Sequence, residues 1–201
     1  MSKYSYLALG DSYTIGEQVP FADNYTNQAV QLLRREGFDF MAPEIVARTG
    51  WTTDELQFGI NNRVFLPVYD FVSLQIGVNN QYRGRTVEEY EEHFTSLLEQ
   101  ALDFAGKRKN RVLVLSIPDW GFTPFAAQAD PLKITAEIDR FNEVNRRVTT
   151  GMDIHYIYIT DWTRDAKTDP GLLAADGLHP SGKEYRRWAG QIAIFFKSQL
   201  S

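Results

Sequence analysis

Cysteine is absent from the 201 residues. That excludes disulfides as a source of stability, a thiolate nucleophile and any cysteine-ligated zinc site. Long apolar runs are missing too. No stretch approaches the length needed to cross a bilayer, and residues 1–7 lack the apolar segment and small-residue cleavage site of a signal peptide. The expectation is a cytoplasmic protein without stable membrane insertion. Positive charge is in deficit, and a formal net charge of −5 offers no basic footprint for nucleic acid. Neither a P-loop nor a G-x-S-x-G elbow occurs, and the first loop has no Ser/Thr-rich cradle for a flavin phosphate. Low-complexity linkers and internal repeats are also lacking. With 43% hydrophobic and 23% charged residues, the composition is that of an ordinary globular chain. Its length suffices for one well-buried core and is short for two, so residues 1–201 read as a single domain.

What is present alternates in character. Apolar, β-branched or aromatic runs at 4–9, 45–47, 71–76, 112–117 and 154–159 are mostly continuous, which predicts strands buried on both faces. Helical stripes lie between them. Val87, Tyr90, Phe94, Leu97, Leu98, Ala101 and Ala105 share one face; Ile134, Ile138, Phe141, Val144 and Val148 share another. Tyr185, Trp188, Ala189, Ile192, Phe195 and Phe196 form a third stripe. Thr86–Glu89, Ser181–Glu184 and Thr52–Glu55 read as capping boxes, and Asp130 precedes a proline at a first helical position. A further helix is expected over about 24–35, stopping at Gly37. Strand and helix in alternation predict an α/β fold with a central parallel sheet of about five strands and helices on both faces.

In such sheets ligands bind beyond the carboxyl ends of the strands, and the segments there carry chemistry. Gly10-Asp11-Ser12 follows the first strand, Thr49-Gly50-Trp51 the second and Gly77-Val78-Asn79-Asn80 the third. Asp176-Gly177-Leu178-His179-Pro180 follows the last. A serine hydroxyl becomes a nucleophile when a base takes its proton, so Ser12 needs His179. Asp176, three residues before that histidine, is placed to fix its tautomer and stabilise the imidazolium. The charge that develops on an attacked ester carbonyl needs donors set in advance. The backbone N–H groups of Ser12 and Gly50 and the amide of Asn79 are the candidates. Activity is then expected to rise as the His179 imidazole loses its proton.

These four blocks, in this order from Gly10 to His179, resemble the SGNH hydrolases, also called GDSL esterases/lipases. The resemblance implies a flavodoxin-like three-layer α/β/α sandwich. It also implies cofactor-free, metal-free hydrolysis of a small-molecule carboxylic ester through an acyl-enzyme on Ser12. Short acyl groups are the expectation, since no long lid segment is evident, and the resemblance implies a lysophospholipase-like or carbohydrate-esterase-like activity. An O-acyltransferase on the same scaffold and a non-catalytic flavodoxin-like binding module remain alternatives. Two positions depart from the family pattern. Tyr13 stands where many members carry leucine, and Asn80 stands where aspartate is common, which alters loop bonding without removing the Asn79 amide.

Other notable residues have plainer readings. Asp11 is expected to bond backbone in the turn that holds Ser12, His93 to sit on a solvated helix face and His155 to be structural. The run Glu88, Glu89, Glu91 and Glu92 reads as a solvated face. Trp120, Phe122, Pro124 and Phe125 are either loop packing or an aromatic wall for substrate. Arg83 and Arg85, beside the Asn79 loop, are candidates for an anionic substrate group.

Overall fold

Continuous apolar runs become strands covered on both sides. In a computed structural model, which describes residues 3–200, β1 (Tyr6–Asp11), β3 (Phe71–Gln75) and β4 (Val112–Leu115) are buried along their whole length. The outer strands β2 (Glu44–Arg48) and β5 (His155–Ile157) are only partly covered. All five pair in parallel, in the order β2-β1-β3-β4-β5. This is the flavodoxin-like order, in which the direction of winding reverses between β1 and β3.

The helices are α1 (Ser12–Ile15), α2 (Tyr25–Arg35), α3 (Thr53–Asn61), α4 (Val78–Tyr82), α5 (Val87–Phe104), α6 (Pro131–Gly151), α7 (Thr160–Arg164) and α8 (Gly182–Ser198). Of these, α2 packs on α8, whereas α5 packs on both α3 and α6, which completes three layers around the sheet. Phe196 of α8 stacks on Phe71 of β3 with centroids 4.0 Å apart. In the other layer Tyr90 of α5 meets Phe141 of α6 at 4.8 Å. Each such buried ring contributes about 1.5–3 kcal/mol through the water it sheds.

Several element ends differ from the sequence reading, and four features of the ends have a plain local reason. The first strand starts at Tyr6, because Tyr4 bonds only to the segment around Phe40. The last strand stops at Ile157, since the N–H groups of Ile159 and Thr160 donate to the Ser116 hydroxyl and leave the ladder. At α8 no capping box forms. The Ser181 N–H goes to Leu172 O, its hydroxyl to Gly171 O, and Glu184 is turned inward to accept from Trp188 Nε1. At α5 Thr86 caps as expected, but the Glu89 carboxylate turns to Arg85. Elsewhere the start signals act as read, Asp130 capping α6 and the Thr52 N–H donating to Glu55, and Asn24 caps α2. Among the described residues no helix is long and apolar enough to cross a membrane.

Candidate active site

Around the switch point between β1 and β3 four chain segments lie side by side. At the end of β1, Asp11 caps α1 by accepting the Tyr13 N–H at 3.0 Å. This is the backbone role expected of it. Burial pushes its carboxyl up to about 7, against an opposing hydrogen bond from Tyr13. The cap holds Ser12 at the first position of α1, buried, with its Oγ 2.9 Å from His179 Nε2.

His179 reaches that point from the turn before α8. Its Nδ1 lies 2.6 Å from Asp176 Oδ2, while Asp176 Oδ1 accepts the N–H groups of Leu178 and His179, each at 3.0 Å. One carboxylate oxygen thus shapes the turn and the other holds the ring. Burial works against the charge on Asp176. The hydrogen bonds from the His179 ring and the two N–H groups outweigh it and hold the carboxyl below the ordinary carboxylate range. The carbonyl of His179 accepts from Ala174 at 2.7 Å, and Tyr13 packs its ring 4.9 Å from the imidazole.

The other two segments are stitched together. Gly50 takes φ +80°, a left-handed conformation that favours glycine. Asn79 Nδ2 donates to Trp51 O at 3.0 Å, leaving the second amide hydrogen available. Asn80, the departure from the family pattern, is buried and grips Thr53 twice. It accepts the Thr53 N–H at 3.1 Å and donates Nδ2 to Thr53 Oγ1 at 2.8 Å. A carboxylate lacks that second donor.

Ser12, Gly50, Asn79 and His179 line one cleft of about 130 Å³, together with Tyr13, Thr49, Val78, Tyr82, Trp120, Phe125 and Leu178. The structure therefore brings the expected site residues together, with Asp176 immediately behind His179. It also brings in Tyr82, which no sequence argument singled out, while Tyr13 and Val78 entered that reading only as motif neighbours of Ser12 and Asn79. The signal for Tyr82 was its place one helical turn after Asn79.

Several other residues lie elsewhere or are otherwise engaged. His93 is half-buried, with Nδ1 3.3 Å from Thr53 Oγ1, so it is not the solvated residue expected. His155 is exposed and stacks on Phe195 at 4.2 Å, and burial of part of the ring pushes its pKa down. Neither lines the cleft. Arg83 donates to Gly50 O and Glu55, and Arg85 pairs with Asp54 and Glu89, so both guanidinium groups already have partners. Phe122 lies beneath Lys167, and Pro124 packs where a Cβ on Gly177 would stand. Among the described residues no group of three or more His, Asp and Glu side chains converges as a metal site.

The same fold occurs in proteins of known structure. A lipase/acylhydrolase from Enterococcus faecalis superposes with a TM-score of 0.77 at 19% identity, covering 98% of this chain and 96% of that one. The acetylxylan esterase Axe2 from Geobacillus stearothermophilus gives 0.71 at 19% identity, with 98% and 96% covered. The psychrotrophic esterase EstA from Pseudoalteromonas sp. gives 0.69 at 14% identity, with 98% and 99% covered. At such identities the likeness is one of fold. No curated protein matches the sequence. The sequence pattern of the GDSL-like lipase/acylhydrolase family matches residues 8–187, and the chain belongs to that family.

Proposed function

We propose that this chain is a serine esterase, a single domain over residues 1–201 that hydrolyses carboxylic esters through an acyl-enzyme on Ser12. The observation that carries the reading is the unbroken line from Ser12 Oγ to His179 Nε2, 2.9 Å, and from His179 Nδ1 to Asp176 Oδ2, 2.6 Å. His179 takes the Ser12 proton as Oγ attacks the ester carbonyl carbon. The oxyanion is received by the N–H groups of Ser12 and Gly50 and the free amide hydrogen of Asn79, each such donor being worth about 10²–10³ in kcat. The imidazolium, held by Asp176, then gives its proton to the departing alcohol. Water repeats the sequence on the acyl group and frees Ser12.

Two further features support this reading. Held below the ordinary carboxylate range by its hydrogen bonds, the Asp176 carboxyl stays charged to steady the imidazolium formed when His179 takes the serine proton. A cleft of about 130 Å³ suits short acyl groups, in keeping with the acetyl esters named for two structural relatives. The test is hydrolysis of p-nitrophenyl esters from acetate to octanoate, with Ser12→Ala in parallel and a serine-directed phosphonate as a probe. Turnover by the parent alone, with phosphonate on Ser12, upholds the esterase. A Ser12→Ala protein that keeps most of the activity overturns it, as does a parent that neither turns over nor takes the label.

A further inference from the structure

On one side of the cleft three aromatic rings meet. Tyr82 crosses Trp120 with centroids 5.3 Å apart at 73°, and Phe125 crosses Trp120 at 5.9 Å and 69°. Tyr82 and Phe125 are 6.1 Å apart. Rings this close fill the space between themselves. They present a continuous apolar wall, not a cage open at its centre to a cation.

The wall is fixed to the reacting centre at several points. Trp120 Nε1 donates to Gln81 Oε1 at 2.8 Å, and Gln81 Nε2 donates to Glu137 at 2.8 Å. The Trp120 carbonyl accepts both the N–H and the hydroxyl of Thr123. The Phe125 N–H donates to Gly177 O at 3.2 Å, inside the turn that carries Asp176 and His179. Tyr82 and Gln81 belong to α4, the helix that also carries Asn79. Yet Tyr82 and Phe125 are 55% and 50% exposed, so rigidly held ring surface faces outward with nothing on it.

The chemistry of the lining narrows what that surface accepts. None of the described residues lining the cleft is Lys, Arg, Asp or Glu, so a charged group would lose water without gaining a partner. Three of the polar side chains there are engaged, which leaves the Tyr13 and Tyr82 hydroxyls and the second Asn79 hydrogen as the groups open to a ligand. The Trp120 N–H goes to Gln81, the Thr49 hydroxyl to Glu17, and one Asn79 hydrogen to Trp51 O. A polyol such as a sugar would find few groups to replace its hydration. An apolar cavity on the order of 150 Å³ takes one benzene-sized molecule, and this open cleft has about 130 Å³. A rigid ring packs against these ring faces and edges with fewer rotamers to freeze than a linear chain has.

We infer that the Tyr82–Trp120–Phe125 wall binds an uncharged, phenyl-sized ring of the ester, in preference to a sugar or a linear chain. The inference rests on the esterase reading for its relation to Ser12. The ring can lie on either side of the ester bond, and paired substrates separate the two. Benzyl acetate against butyl acetate tests the alcohol side; methyl phenylacetate against methyl hexanoate tests the acyl side.

The ring-bearing member of at least one pair should show kcat/KM about 10-fold higher, and Phe125→Ala should bring that pair to within about twofold. Binding is read independently of turnover in Ser12→Ala protein, by ligand-observed NMR titration with the same four esters. Tighter binding of a ring-bearing ester by about 10-fold, abolished when Phe125→Ala is added, upholds the wall. Equal affinity within both pairs, or no saturable binding, overturns it, whether or not the parent hydrolyses esters. Ring binding in a protein that neither turns over an ester nor takes the phosphonate would instead remove the esterase reading and leave the ring site.

Discussion

Arg83 holds two loops at once: its Nη2 donates to Gly50 O at 2.6 Å, and its backbone N–H donates to Asn79 O at 3.0 Å. Gly50 and Asn79 are the residues proposed to receive the oxyanion beside Ser12, so one arginine spans the gap between them. Its ion pair with Glu55 is solvent-exposed on both sides and contributes less than about 1 kcal/mol. Arg83→Gln should therefore leave stability nearly unchanged. It should lower kcat about 10-fold or more with KM little altered, because donors slightly out of place stabilise the transition state less. Steady-state kinetics with a denaturant melt alongside make the check. An unchanged kcat would show that the two loops keep their places without the clamp.

Asp11 gives a pH dependence with a definite sign. Its carboxyl has an ordinary value of 3.8 in the unfolded chain and about 7 in the folded one, pushed up by burial. Between those values the folded state holds the extra proton, so stability falls as pH rises from about 4 to about 7. The slope is at most about 1.4 kcal/mol per pH unit. Asp11→Asn retains an oxygen for the Tyr13 N–H and removes the titration. Urea melts at about pH 5 and about pH 8 should show the parent losing stability across the interval and the variant not. Parallel slopes would assign the titration to another group.

Two glycines beside the cleft should respond differently to a methyl group. At Gly50, φ +80°, an added Cβ would meet only Arg83 Nη2 at 3.5 Å. Gly50→Ala should fold, at a backbone cost of about 1–2 kcal/mol. At Gly77, φ +134°, the Cβ would lie 2.5 Å from the ring of Tyr90, which is fully buried and bonded to Ile76 O. Gly77→Ala should lose about 3 kcal/mol or more, or fail to fold. Thermal melts of the two variants would decide the matter, and a well-folded Gly77→Ala would mean that the Tyr90 ring yields.

Asn80→Asp would restore the residue common in the family and reverse a hydrogen bond. Asn80 Nδ2 now donates to Thr53 Oγ1, which leaves the Thr53 proton for His93 Nδ1. With a carboxylate at 80 the hydroxyl must donate inward, and His93 must donate in turn. The neutral His93 ring should move from the Nε2–H to the Nδ1–H tautomer, visible in its ¹⁵N shifts. An unchanged tautomer would show that the Thr53–His93 contact does not govern that ring.

Much of the fold was legible because burial on both faces leaves a plain mark. Val112–Leu115 is wholly apolar and could scarcely lie elsewhere than in a covered strand. The edge strand β5 was overestimated because Tyr158 and Ile159 continue the apolar run without joining the ladder, the Ile159 N–H donating to Ser116 Oγ instead. The short helices α1 and α4 went unread. Four or five residues make too little of a turn to show an apolar period, yet these two carry Ser12 and Asn79.

For the site, the four blocks named residues that the structure brings to one cleft, whereas their supports were invisible. Arg83 looked free to meet an anion, and its engagement with Gly50 joins residues from separate loops. Gln81 drew no attention at all, although it anchors Trp120, since a contact between residues 39 positions apart leaves no local pattern. Ser181 and Glu184 had the spacing of a capping box. The Gly171 and Leu172 carbonyls and the Trp188 indole nevertheless claimed them first.

The distance along the chain from Ser12 to His179 bears on how the protein is made. Ser12 stands at the end of the first strand, whereas the turn carrying Asp176 and His179 precedes the last helix, α8. That helix is seated against α2, with Gln28 Nε2 donating to Gly182 O at 2.8 Å. A growing chain therefore displays its serine long before the ribosome has added the partner imidazole, and α2 waits with one flank bare until α8 arrives. On the esterase reading, Ser12 meets its base only once the turn carrying His179 has been made and α8 has docked on α2, so a chain lacking either would leave the serine hydroxyl without its proton acceptor.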